Sequence, residues 1–296
     1  MRLPTIKQLQ YFLALTETEH FGRAADRCCV SQSAFTNAIQ ELEATLSAQL
    51  VDRTNRNVTR TAKRQEVAVQ ARLVVNDIES LVETARGNDR PLAGELRLGV
   101  IPTIAPFMLP GALPKLRKSY PDLRLLLAED QTDRIVRRLM DGELDVLLLA
   151  LPWQMQGVEE MPLFRDSFCL ACREGTKRVN PKNYRYNRLD SDSILLLEDG
   201  HCLREHALAA CKLRDTEKVR RFGASSLLTL IEMVDADLGI TFLPEMARGS
   251  ALLRNTRVRL SPLDEQSYRT IGLAWRKGSR QADEFRLLGE FLRDNA

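Results

Sequence analysis

No apolar run in the 296-residue sequence is long enough to cross a bilayer; the longest, Val146 to Pro152, falls far short of the roughly 20 residues a membrane-spanning helix needs. The opening residues, MRLPTIKQLQYFLALTETEH, break their apolar pattern with Lys7, Gln8, Gln10 and Glu17, so the continuous core of an export signal is also missing. A cytoplasmic protein with no membrane partner is therefore expected. No internal repeat at the period of a solenoid or propeller occurs, and no low-complexity stretch. Charge of one sign is not in excess either: 43 Lys+Arg against 40 Asp+Glu leave a formal +3, which by itself points to no partner. One CxxC, Cys169 with Cys172, lacks the further spaced ligands of a zinc site and lies in strand-like SFCLACR, where residues three apart face opposite sides. Neither a metal nor a cofactor is expected.

What is present begins with six cysteines, Cys28, Cys29, Cys169, Cys172, Cys202 and Cys211. In a reducing cytosol they are thiols at rest, which excludes a structural disulfide framework. Each is then either a small buried hydrophobe or a reactive group. Charge is informative locally. Between residues 53 and 64 stand Arg53, Arg56, Arg60, Lys63 and Arg64 without a carboxylate, a patch able to neutralise phosphates or simply to solvate a loop.

The periodicity divides the chain. Residues 1 to about 60 place Leu9, Phe12, Leu13, Phe21, Ala24, Ala25, Val30, Ile39, Leu42 and Leu46 at helical spacings around one small core. Residues 66 to 86 contain no Gly or Pro and set Val67, Ala71, Val74, Ile78, Leu81 and Ala85 at alternating steps of four and three, the seam of a short coiled coil and hence of a homodimer. Gly87 to Gly94 has the composition of a hinge. Beyond it strands and helices alternate: ELRLGVI, LRLLLAE, LDVLLLAL, SFCLACR, SILLLE, GITFLP and TIGLAWR read as strands, predicting an α/β region with parallel strands and two lobes.

Within Phe21 to Leu46, FGRAADRCCVSQSAFTNAIQELEATL, small Ala24 and Ala25 permit close helix packing and Ser31 is able to cap a second helix. Gln32, Ser33 and Thr36 then sit at the helix end that enters the major groove in a helix-turn-helix, though Ser31 and Gln32 also read as ordinary capping residues. The pattern FxxAADxxxVSQSAxxxxIxxLE, followed by LVDRTNR and a long helix, resembles the winged N-terminal domain of LysR-type regulators over the first ~85 residues. The resemblance implies that Ser31, Gln32, Ser33 and Thr36 face DNA and that a wing sets Arg53, Arg56 and Arg60 beside the backbone and minor groove. Three departures stand out: Ser33 where proline is common, the Cys28-Cys29 pair, and Arg64 where a glycine often ends the wing.

In Glu198 to Cys211, EDGHCLREHALAAC, a loop runs into a helix with Cys202 near its start, where the helix dipole, Arg204 and protonated His201 would favour the thiolate. Nine residues of continuous helix would hold Cys202 and Cys211 ~14 Å apart, far beyond the ~4.4–6.8 Å between the Cα atoms of a disulfide. Bridging therefore requires refolding; spacing alone favours reading the two as unrelated core cysteines.

The segment LLEDGHCLREHALAAC, with ASSLLTL, GITFLP and RTIGLAW, is similar to the peroxide-sensing branch of the LysR family along nearly the whole chain. That resemblance implies Cys202 as the peroxidatic residue, Cys211 as the resolving one, His201 and Arg204 beside the sulfur, and Thr103 and Arg269 in a peroxide pocket. Alone, Thr103 reads as a helix cap and Arg269 as a surface charge.

The implied architecture is α and α/β: a winged helix-turn-helix (1–64), a linker helix and hinge (65–90), and a regulatory domain (91–296) of two Rossmann-like, periplasmic-binding-protein-like lobes. The lobes cover about 91–165 with 272–296, and about 166–271. The implied partners are double-stranded promoter DNA, RNA polymerase, hydrogen peroxide as signal, a glutaredoxin- or thioredoxin-type reductant, and further copies of the chain as dimer or tetramer. A metabolite-responsive regulator with incidental cysteines and a thiol peroxidase are the competing functions; the DNA-binding motif argues against an enzyme.

Overall fold

A computed structural model describes residues 3–51, 62–85, 90–210, 218–219, 223–263 and 266–295. They form two compact units, one of residues 1–89 with 140–143 and one of 90–139 with 144–296.

The first unit contains α1 (Ile6–Thr18), α2 (Phe21–Arg27), α3 (Gln32–Leu46) and α4 (Ala62–Ala85). A capping box opens α1: the Thr5 hydroxyl accepts from the Gln8 amide at 3.2 Å, and the Gln8 side chain accepts from the Thr5 amide at 2.9 Å. Phe35 fills the centre, stacked on Tyr11 at 5.2 Å and meeting the edge of Phe21 at 6.1 Å. Ala24 and Ala25 are buried, as close packing of α2 requires.

Helix α4 corrects the expected seam. Ala71 packs with Ala68 and Val75 into this same core. Of the expected seam, Val74 and Leu81 are exposed, and Val82 joins them. At 3.6 residues per turn a long helix carries two such stripes, and the heptad pattern joined parts of both. Arg64 is buried, and its Nη2 donates to the Leu15 carbonyl at 3.3 Å, placing a cation at the negative end of α1.

The second unit contains β1 (Gly94–Val100), α5 (Ala105–Ser119), β2 (Leu123–Glu129), α6 (Thr132–Met140), β3 (Val146–Leu151) and β4 (Val158–Arg173). There follow α7 (Cys202–Ala210), α8 (Leu227–Asp235), β5 (Thr241–Pro244), β6 (Val258–Pro262), β7 (Tyr268–Arg276) and α9 (Ala282–Asp294). The strand order is β2-β1-β3-β7-β4-β5, with β6 also on β4. Strand β1 pairs with β2 and β3 in parallel, as the alternation of elements predicts. The ladders of β7 and β4 are antiparallel, and SILLLE forms only isolated bridges at Ile194 and Leu197. The reason is the length of β4, whose first half pairs with β7 and whose second half pairs with β5 and β6, so one strand serves both lobes.

Each lobe has its own core. One gathers Leu98, Val146, Leu148, Leu273, Phe285 and Leu288; the other gathers Leu170, Ile194, Leu230, Ile231 and Phe242. Helix α7 belongs to both: Cys202 packs into the first core, and Leu203 and Ala207 into the second. Any movement of α7 must therefore disturb both lobes. Among the described residues, no helix is long and apolar enough to cross a membrane.

Candidate functional site

The turn into α7 depends on Gly200, whose φ of +94° lies where L-residues pay a steric cost. A Cβ there would also stand 2.9 Å from the Gln131 side-chain oxygen. Gly200→Ala should therefore displace His201 and Cys202 and lower the melting temperature by several degrees, the scale of ~1–2 kcal/mol in a domain of this size. An unchanged melting temperature and an unchanged Cys202 alkylation rate would refute that placement.

The Cys202 thiol is 1% exposed. Burial pushes its pKa up, opposed by the Thr132 hydroxyl, the charge of Arg269 and the backbone of Ala150. The Thr132 Oγ1 is itself buried and has no partner other than the sulfur beside it. As a donor beside the sulfur, this hydroxyl would favour an anion there. In the resting conformation the sulfur is thus a protonated thiol. Because only the thiolate reacts, alkylation of Cys202 in the reduced protein should rise about tenfold per pH unit from pH 7 to 9, following its raised pKa. A rate already level at pH 7 would contradict this.

Two expected sources of activating charge are corrected. Arg204 is spent elsewhere, its Nε on the Asp199 carboxylate at 2.9 Å and its Nη1 on the Leu197 carbonyl at 3.3 Å. His201 is buried, and burial lowers its pKa despite Glu198, the Ser225 backbone and Asp130, so near neutral pH it lends no charge.

The cation that does reach the site is Arg269. Its side chain is fully buried, which overturns the reading of a surface charge. Its Nε donates to Asp166 Oδ2 at 3.0 Å, Nη1 to the Thr103 hydroxyl at 3.0 Å, and Nη2 to the Thr103 carbonyl at 2.9 Å and to Met246 Sδ at 3.5 Å. Thr103 is equally buried and does not cap α5, whose N-cap is Ile104. Asp166 also accepts from the Met246 amide at 3.2 Å; burial raises its pKa against the pull of Arg269. Sequence reasoning missed Thr132, Asp166 and Met246. None left a clear local signal; Asp166 is flanked by Arg165 and Ser167 in a strand that also carries Glu159 and Glu160.

Cys211 lies outside the described residues. Cys169 donates its S–H to Glu245 at 2.8 Å, and burial with that carboxylate pushes its pKa up to about 12. Cys172 is buried and likewise raised by burial. Cys28 packs partly against the helical core, while Cys29 is exposed in the turn after α2 with φ +56°. Beside α7 a cavity of about 910 Å³ is lined by Trp153, Glu205, His206, Tyr268 and Arg269, among others, but not by Cys202.

In the first unit Ser31 caps α3, accepting from the Ala34 amide at 3.3 Å, and its hydroxyl lies 3.2 Å from that of Ser33. Thr36 spends its proton on the Gln32 carbonyl at 2.7 Å. Gln32 and Ser33 are left exposed at the start of the helix. Arg53, Arg56 and Arg60 lie outside the described residues.

Comparison with known proteins follows this geometry. Residues 6–63 match the bacterial regulatory helix-turn-helix protein model of the LysR family, and residues 89–296 match the LysR substrate binding domain. The transcriptional regulator EstR of Acinetobacter baylyi is 39% identical over 98% of this chain and 97% of its own length. The dual regulator OxyR of Escherichia coli is 37% identical over 97% and 94%. A full-length OxyR variant from Pseudomonas aeruginosa superposes with a TM-score of 0.78 at 28% identity, covering 99% of each chain. The reduced regulatory domain of OxyR2 from Vibrio vulnificus gives 0.67 at 41%, covering 70% of this chain and 98% of that one. The two family models together span residues 6–63 and 89–296, and the chain belongs to the LysR family of DNA-binding transcriptional regulators.

Proposed function

We propose that this regulator senses hydrogen peroxide through a reversible Cys202–Cys211 disulfide and transmits the change to promoter DNA and RNA polymerase, controlling antioxidant genes in the cytoplasm. The observation that carries the reading is the position of Cys202: a buried thiol at the first turn of a helix packed into both lobe cores, with the Thr132 hydroxyl beside the sulfur and the charge of Arg269 acting on it. Similarity to proteins named as hydrogen peroxide-inducible gene activators supports it.

The Cys202 thiol loses its proton as peroxide enters, and the sulfur attacks one peroxide oxygen. The O–O bond breaks, a sulfenic acid forms and the second oxygen leaves as water. Arg269 and Thr103 supply positive charge and a hydroxyl where the leaving oxygen develops its charge. The Cys211 thiol then attacks the sulfenic sulfur, expelling a second water and closing the disulfide. Two thiols of a glutaredoxin- or thioredoxin-type protein reverse the bond and become oxidised themselves. His201 and Arg204 act here through structure, holding the turn before α7, rather than as charges on the sulfur. Peroxide treatment of the reduced protein followed by disulfide mapping tests the reading; a response with both thiols still free overturns it.

On DNA, Gln32 and Ser33 read base edges, Ser31 and Thr36 hold the helix that presents them, and Arg53, Arg56 and Arg60 neutralise phosphates. The exposed stripe Val74, Leu81 and Val82 pairs two copies, from which dimer or tetramer is built. Leu81→Asp should shift the protein toward monomer in sedimentation and weaken promoter binding about a hundredfold, through loss of the second half-site. Unchanged mass and affinity would place the dimer contact elsewhere.

The cavity beside α7 favours a second reading, a metabolite-responsive regulator with incidental cysteines, since about 910 Å³ far exceeds the size of peroxide. Retained peroxide response after the cavity is filled by Ala209→Trp counts against it.

A further inference from the structure

Helix α7 sets Cys202, His206 and Ala209 on one face, at i, i+4 and i+7. Its hold on the sheet at His206 is poor. The imidazole Nε2 lies 3.4 Å from the Pro152 carbonyl, near the limit of a hydrogen bond. A carbonyl only accepts, so Nε2 carries the proton. Burial and the nearby charge of Arg269 disfavour a second proton on the ring. Nδ1 is then a lone-pair acceptor, and it is fully buried without a partner.

Arg269, which lines the same cavity, cannot relieve it, because it is committed to Thr103, Asp166 and Met246. One turn earlier the buried Thr132 hydroxyl has only the Cys202 sulfur beside it as a partner. The polar contacts on this face of the helix are thus weak at both positions, and at His206 one acceptor is unsatisfied. Beside this same face the cavity of about 910 Å³, lined by Glu205, His206 and Ala209, leaves room into which α7 can move.

We propose that His206 is a positioning residue that keeps the reduced docking of α7 weak, and so sets how readily Cys202 is released from its buried position. This rests on reading Cys202 and Cys211 as a redox pair, since release of α7 is what their union demands. An imidazole held by one long hydrogen bond, with an orphaned acceptor, costs the docked helix stability that an apolar side chain of similar bulk would not. The cost disappears when α7 leaves and Nδ1 meets water. His206 thereby lowers the barrier to refolding without touching the sulfur.

The test is the alkylation rate of Cys202 by N-ethylmaleimide in the reduced full-length protein, read by peptide mass spectrometry, because a buried thiol reacts only when its helix opens. His206→Leu should slow the reaction about tenfold, the order expected when one buried unpaired acceptor is removed. His206→Ala, which deletes the docking surface as well, should speed it by a similar factor. A residue that merely stabilises the fold gives the opposite for leucine, with both variants faster; that result, or rates within twofold of wild type, overturns the proposal. Should His206→Leu fail to fold by circular dichroism, His206→Met replaces it with the same expectation. Peroxide-driven disulfide formation is measured alongside. A wild-type protein that forms no Cys202–Cys211 bond refutes the redox pair, whereas bond formation with the wrong order of alkylation rates refutes only the role of His206.

Discussion

Arg269→Met should cost about 3–5 kcal/mol of stability, the usual penalty for stranding one partner of a buried ion pair. The side chains of Arg269 and Asp166 are 0% and 2% exposed, so the abandoned carboxylate cannot turn to water. It keeps only the Met246 amide as a donor, and Thr103 loses the guanidinium at both its hydroxyl and its carbonyl. Burial already raises the Asp166 pKa; without Arg269 it must rise further. A carboxyl whose folded pKa exceeds its unfolded one stabilises below the unfolded value and loses that contribution as pH climbs through the folded value. The variant should therefore be closer to wild type near pH 4 than at pH 8, by urea denaturation. Adding Asp166→Leu should recover most of the loss, since an apolar pair carries no stranded charge. A single-variant loss below ~1 kcal/mol, or a double variant no better than the single, would show that the pair does not organise the site.

Cys202→Ser is expected to abolish the peroxide response while leaving fold and DNA binding intact. An alcohol is too weak a nucleophile to open the O–O bond, so neither sulfenic acid nor disulfide forms. Serine is close in volume to cysteine, and the Thr132 hydroxyl beside the sulfur offers its oxygen a partner, so the stability change should stay within about 1 kcal/mol. Cys211→Ser should behave differently: Cys202 still oxidises, but the sulfenic acid persists and is trapped by a dimedone-type reagent. Promoter footprints before and after peroxide read the difference. A footprint that still shifts with Cys202→Ser would move sensing to another group; Cys169, held protonated by burial and Glu245, is a poor substitute.

The helical unit was largely legible in the sequence because its determinants are local. Ala24, Ala25 and the Ser31 cap act within a few residues of themselves, and the structure uses all three. Cys202 at a helix start was legible for the same reason. What escaped was set by distant contacts. Asp166 and Arg269 are 103 residues apart, Thr103 and Arg269 are 166 apart, and no local pattern announces either pairing. Arg204 misled because proximity along the chain is not proximity in space: two residues on along a helix, a side chain points away from the sulfur. His201 misled because burial discharges it, and burial is a property of the folded neighbourhood. The antiparallel course of β4 and β7 escaped because β4 runs on from one lobe into the other, which order of elements alone does not reveal.

The most direct test of the central claim is disulfide mapping of the reduced full-length protein quenched seconds after near-stoichiometric hydrogen peroxide. The account expects one new linkage, between the peptides bearing Cys202 and Cys211, absent from both single serine variants. Cys202 recovered as a free thiol, alongside an unchanged promoter footprint, would contradict it.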